Sequence, residues 1–179
     1  MKKTLFCLLT VCALVMAACD KPEEPTENAA TPATVDDYLG EFTMESQVIY
    51  VLSAEGLGEM PEDTTYTTSD IEVVRTSDDN AVLVFITNNS ITDTVTGSVT
   101  ASGLHINNHN YMFSYIDDQF IHDTLNITLG VVHNVVPVPT NGQMKWQSNV
   151  SGNTTFQYNG FPIPVSVRGR MNNTATKTN

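Results

Sequence analysis

The chain has 179 residues, with 8 Lys+Arg against 20 Asp+Glu, a net charge of −12, and 41% apolar residues. That length suits one domain, and the apolar content excludes wholesale disorder. The acidity argues against a nucleic-acid binder, because phosphate repels it.

Lys2 and Lys3 precede an apolar run from Leu5 to Val15, interrupted only by Thr10. About eleven residues are too few to cross a bilayer core of about 30 Å comfortably as a helix, and they match the hydrophobic part of a secretory leader. The run closes on Met16-Ala17-Ala18-Cys19. Small residues before a cysteine resemble the lipobox of bacterial lipoproteins, with Met16 standing where Leu, Val or Ile is usual. The resemblance implies that residues 1–18 are a signal peptide and that an acylated Cys19 heads the mature chain. Of the three cysteines, Cys7 and Cys12 lie in this leader and none follows Cys19. The remaining chain then has no disulfide, no thiol nucleophile and no thiolate metal site. Each buried acyl CH₂ contributes roughly 0.8 kcal/mol, so two or three chains anchor firmly. The implied place is the envelope of a Gram-negative bacterium, lipid-anchored at the outer membrane.

Residues 19–37 read as the lipidated cysteine and an acidic tether. Asp20–Asp37 holds three Pro, six acidic residues and Val35 as its one large apolar side chain. Such a stretch buries too little surface to offset its ordering entropy. Lys21-Pro22-Glu23-Glu24 resembles the surface-export tags of some Gram-negative lipoproteins, whereas Asp20 directly after the cysteine resembles an inner-membrane retention signal. The two point to different leaflets.

Residues 38–179 read as strands, because apolar and polar residues alternate with period two. The alternating segments are Phe42–Tyr50, Leu125–Val131, Met144–Val150 and Ile163–Met171. Ser77–Asn80 predicts a hairpin between Ile71–Thr76 and Ala81–Thr87, and Asn88–Ser90 ends the second of these strands. Ala101–Gly103, Asn107–Asn110, Ser151–Asn153 and Asn159-Gly160 predict further turns. Ser53–Ser69 reads as a long first loop able to fold over one end of a barrel. Val82–Ile86 is apolar on both faces, which predicts cover on both sides. About nine or ten short antiparallel strands with no helical spacing mean a barrel or a sandwich, an antiparallel up-and-down β-barrel in the first case and an immunoglobulin-like β-sandwich in the alternative.

Gly40-Glu41-Phe42 at the start of the first strand, a long first loop, and Arg168 or Arg170 on the last strand together resemble the calycin superfamily, which includes lipocalins. The resemblance implies that the late arginine packs across the first-strand aromatic and closes the barrel. In that family the aromatic is normally Trp; here it is Phe42, and the only Trp is Trp146.

Chemistry is sparse. His105, His109, His122 and His133 read as exposed, singly placed side chains, and no metal site is assigned. Asp78-Asp79 and Asp117-Asp118 point to opposite sides of an extended chain and read as turn residues. No nucleophile motif or phosphate loop occurs, so no catalytic residue and no cofactor is expected. Tyr111, Phe113 and Tyr115 share one face of a strand. With Trp146 they are the candidate lining of a pocket for a small apolar ligand. The expected function is that of a non-enzymatic, lipid-anchored barrel whose partners are the membrane and such a ligand. A surface-interaction or adhesin-type module, or a protease-inhibitor-like barrel, is the alternative.

Overall fold

A computed structural model describes residues 31–117, 123–158 and 160–178, without the side chains at 113–117, 123–125 and 158. Cys19 and the expected leader, residues 1–18, lie outside the described residues. Ten strands follow a short 3-10 turn at Val35–Asp37: β1 Gly40–Ala54, β2 Gly58–Glu59, β3 Asp63–Arg75, β4 Ala81–Asn88, β5 Ile91–Thr100, β6 Gly103–Ile106, β7 His109–Asp117, β8 Asp123–His133, β9 Gln143–Tyr158 and β10 Phe161–Lys177. They form one antiparallel sheet in the order β6-β5-β4-β3-β1-β10-β9-β8-β7, with β2 attached to β1.

This order is a meander, not a Greek key. β10 runs back along β1 from Phe42↔Lys177 to Ala54↔Val165, so the last strand closes onto the first. The two ends of the order, β6 and β7, are consecutive in the chain and joined by Asn107 and Asn108 alone. Three peptide steps of 3.8 Å hold Ile106 and His109 within about 11 Å of each other. The sheet therefore curls until its ends meet, giving the up-and-down barrel expected of a calycin-like chain. Among the described residues no ladder joins β6 to β7, so the barrel keeps a seam.

Alternation sets what fills the interior. One apolar cluster, including Phe42, Ile71, Val82, Val84, Leu104, Met144 and Trp146, occupies the half bounded by β3–β6. A second, including Val48, Tyr50, Ile127, Leu129, Val131, Val150, Val165 and Val167, occupies the half bounded by β7 and β8. Each fully buried side chain of this kind contributes about 1.5–3 kcal/mol.

One half of the seam is closed by the segment after β8. Val136 and Leu104 exchange two backbone hydrogen bonds of 2.9 and 3.0 Å as an isolated antiparallel bridge. The Tyr38 hydroxyl donates to the same Val136 carbonyl at 3.1 Å. Gly103 allows this approach: its φ is 137°, and a Cβ there would collide with the Val136 carbonyl.

Four expectations need correction. The ordered chain begins before residue 38: Val35 is buried in the first cluster, the Asp37 carboxylate accepts from the Thr34 amide and hydroxyl, and Asp36 pairs with Arg75 at 2.7 Å. The lone apolar residue of the acidic stretch thus has a core to enter. Ser53–Ser69 is not a long loop, because β2 and the first half of β3 occupy it; the Thr-rich run Thr64–Thr68 favours a pleated strand. Ser151–Asn153 is no turn but the middle of β9. Gly152 serves close approach instead, since a Cβ there would meet the Thr128 carbonyl. Finally, Arg168 and Arg170 do not pack across Phe42. Period two turns both outward, where Arg168 pairs with Glu59, and the cation over the Phe42 ring is Lys177, 5.9 Å from its centroid.

Candidate functional site

Between the two apolar clusters the inward faces turn polar. Ser46, Ser148 and Asn173 are buried there, on β1, β9 and β10. The Ser46 hydroxyl donates to Asn173 Oδ1 at 2.7 Å, and Asn173 Nδ2 donates to Ser148 Oγ at 2.9 Å. Ser148 Oγ lies 2.8 Å from His133 Nδ1, and Trp146 Nε1 lies 3.2 Å from the same nitrogen. His133 Nε2 lies 3.3 Å from His109 Nδ1.

The indole fixes the direction of this chain. A Trp N–H only donates, so His133 Nδ1 accepts, and in the neutral ring the proton sits on Nε2. Nε2–H then donates to His109, and the Ser148 hydroxyl donates to His133. The two imidazoles stack with centroids 5.1 Å apart and planes at 16°. Burial pushes the His133 pKa down to about 4, with the neighbouring His109 acting in the same direction. Burial also lowers that of His109, opposed by its hydrogen bond to the Asn107 backbone and by the charge of Asp93. Both rings are therefore neutral at pH 7.

This donor set does not suit a metal. An ion on His133 Nε2 would move the proton to Nδ1, against the Trp146 N–H. Among the described residues no three His, Cys, Asp or Glu converge. Asp78-Asp79 is not built into this site, and the side chains of Asp117-Asp118 lie outside the described residues.

Trp146, His133, His109 and Tyr111 line an internal cavity of about 30 Å³, enough for about two water molecules. Thr67 and Tyr111 also line an outer, open cleft of about 600 Å³ between β3, the β4–β5 turn and β7. The Tyr111 hydroxyl accepts from Asn88 Nδ2 at 3.2 Å and is hydrogen-bonded to Thr67. Three large apolar side chains on the cleft are mostly exposed: Tyr66 at 74%, Ile91 at 69% and Met112 at 63%.

Local sequence explains the cleft. β3 pairs with β1 from Asp63 to Val73 but with β4 only from Asp70 to Arg75. Where β4 has departed, the inward residues of β3 change from Ile71 and Val73 to Thr65 and Thr67. Asn89 and Ser90 turn β4 into β5 with φ of 47° and 68°, the left-handed pair of a two-residue hairpin. That tight turn leaves Ile91 at its exit.

Of the candidate ligand-binding residues, Trp146 and Tyr111 are brought to one cavity, while the side chains of Phe113 and Tyr115 lie outside the described residues. Phe42 is core, Gly40 opens β1 at a φ of 119°, and Arg168 and Arg170 belong to the outer surface. The histidine pair was missed. The signal was present: His133 continues the inward stripe of Ile127, Leu129 and Val131 by one period, and His109 continues that of Tyr111. Of the other histidines, His105 bonds Thr100 at 3.0 Å on the surface, and His122 lies outside the described residues.

No family model and no curated protein matches the chain. Among solved structures, the chain is similar to a protein of unknown function from the DUF3598 family of Nostoc punctiforme, with 11% sequence identity and a TM-score of 0.31 over 83% of this chain. It spans 50% of that protein's length.

Proposed function

We propose that this protein is a non-enzymatic binding module of a Gram-negative cell envelope, anchored through acylated Cys19, that takes its ligand in the seam cleft and not in the barrel interior. The observation that carries the reading is the contrast in space and exposure. The internal cavity beside Trp146 and His133 offers about 30 Å³ among the described residues, less than a drug-sized ligand needs. The cleft offers about 600 Å³ with Tyr66, Ile91 and Met112 on it. Exposed apolar side chains gathered around a concavity mark a place of contact. The inward polar groups hydrogen-bond one another and are not aimed at an open reaction site.

The neutral dye Nile red tests the seat. Its emission is expected to shift to the blue with the full chain in mild detergent, and Met112→Glu is expected to abolish the shift at unchanged melting temperature. Unchanged dye binding by Met112→Glu and Ile91→Lys would overturn the reading. The anchor is tested separately: metabolic labelling with an alkynyl fatty acid is expected to tag the chain, and Cys19→Ser to lose both the tag and membrane fractionation. Label retained by Cys19→Ser would refute the anchor.

A further inference from the structure

Resting on the seam cleft as the ligand seat, we infer that its ligand is an extended polypeptide segment of a basic partner, added as a strand between the free edges of β3 and β7.

The argument starts from backbone groups. Over Asp63–Ser69 the edge of β3 turned away from β1 carries no ladder among the described residues, since β4 pairs only from Asp70 onward. Among those residues β7 pairs with β8 alone. Both edges lie on the same cleft, β3 through Thr65–Thr68 and β7 through Tyr111 and Met112. A free edge is a template for another strand unless it is blunted by Lys, Pro or a bulge. Neither stretch contains Lys or Pro. An apolar small molecule would cover Tyr66 and Met112 and leave the edge peptides unpaired. An extended segment meets both, its main chain on the edges and its alternate side chains on the apolar lips.

The chain already uses this device on the other half of the seam. There the edge of β6 turned away from β5 is capped by a segment crossing the gap, with Val136 paired to Leu104. The half between β3 and β7 has no such segment among the described residues.

Charge selects the partner. Among the described residues that line the cleft, the charged one is Asp93, and the chain carries −12. Two copies repel each other, whereas a segment carrying Lys or Arg is attracted. The occupant is therefore a strand of alternating apolar and basic residues from a different protein.

The test pans a phage-displayed library of random twelve-residue peptides against the full chain in mild detergent, then synthesises the winners. The expected winners alternate apolar with Lys or Arg, slow amide exchange at alternate positions of 64–68 and in 110–112, and weaken with added salt. Alternate backbone N-methylation removes several hydrogen bonds and is expected to weaken binding at least about tenfold. Asp93→Asn is expected to weaken it severalfold. Winners that tolerate N-methylation, that protect amides elsewhere, or that are acidic would overturn the inference. So would an empty selection while Nile red still occupies the cleft, which leaves the seat standing and removes the strand. Loss of both dye and peptide binding sinks the seat itself. Dimers in sedimentation, with β7 amides protected in the absence of peptide, would replace the basic partner by a second copy.

Discussion

Acidification is expected to weaken the fold through His133, and the magnitude follows from its surroundings. In the unfolded chain a histidine titrates near 6.5, whereas in the folded chain burial among Trp146, Ser148 and His109 holds His133 at about 4. The unfolded state thus takes up the proton first. Stability from this group is complete above about pH 6.5, declines as pH falls, and is gone below about pH 4, for a total of about 3 kcal/mol. Burial, with the neighbouring His109 acting the same way, is what makes the folded site resist the proton. The assay is urea unfolding followed by far-ultraviolet circular dichroism at half-unit steps from pH 7.5 to 4, for the parent and for His133→Asn. In that variant the carboxamide oxygen keeps an acceptor near the position of Nδ1 and does not titrate. The difference between the two stability curves is expected to grow by about 3 kcal/mol on going from pH 4 to pH 7, isolating His133 from the acidic background. Parallel curves would refute the neutral, Trp-capped histidine.

Three further outcomes test the construction of the seam. Trp146→Phe leaves His133 Nδ1 with Ser148 as its remaining donor; a loss of about 1–2 kcal/mol and an upward move of the His133 pKa, read by imidazole ¹⁵N shifts, are expected. An unmoved pKa would mean that the indole does not set the tautomer. Gly103→Ala forces a Cβ onto the Val136 carbonyl at a positive φ, so the urea midpoint is expected to fall by the equivalent of about 3 kcal/mol; a loss under about 1 kcal/mol would show that the Val136 bridge bears little of the closure. Ser90→Gly relieves a left-handed residue in the β4–β5 turn and is expected to raise stability by about 0.5–1 kcal/mol in thermal unfolding, with a loss counting against the turn geometry.

Much of the barrel was legible because strand periodicity is a local property. Phe42–Tyr50 and Ile163–Met171 alternate strictly, and both strands bury the predicted faces. The hairpin at Ser77–Asn80 is where its residue types place it, and Gly160 turns between β9 and β10 as its type predicts. Errors arose where one residue type serves two ends. Gly152 reads as a turn until Thr128 is seen pressing on it from β8. Thr64–Thr68 reads as a loop until β1 supplies a partner. Asn141-Gly142, with φ of 53° and 75°, is a hairpin signal that went unused before Gln143.

The site divides along the same line. The chain by itself determined strand faces, turn chemistry, the acidic charge and the cysteine pattern, since each depends on neighbours within a few residues. It did not determine that Trp146 caps His133, that His109 stacks on it, or that β4 leaves β3 at Asp70. Those depend on the register of β7 on β8, β8 on β9 and β3 on β4, which bring together residues far apart in sequence. A one-residue slip in any of these ladders would turn the same side chains out to solvent. The cavity, the neutral histidines and the open edge are therefore properties of how the sheet closes on itself.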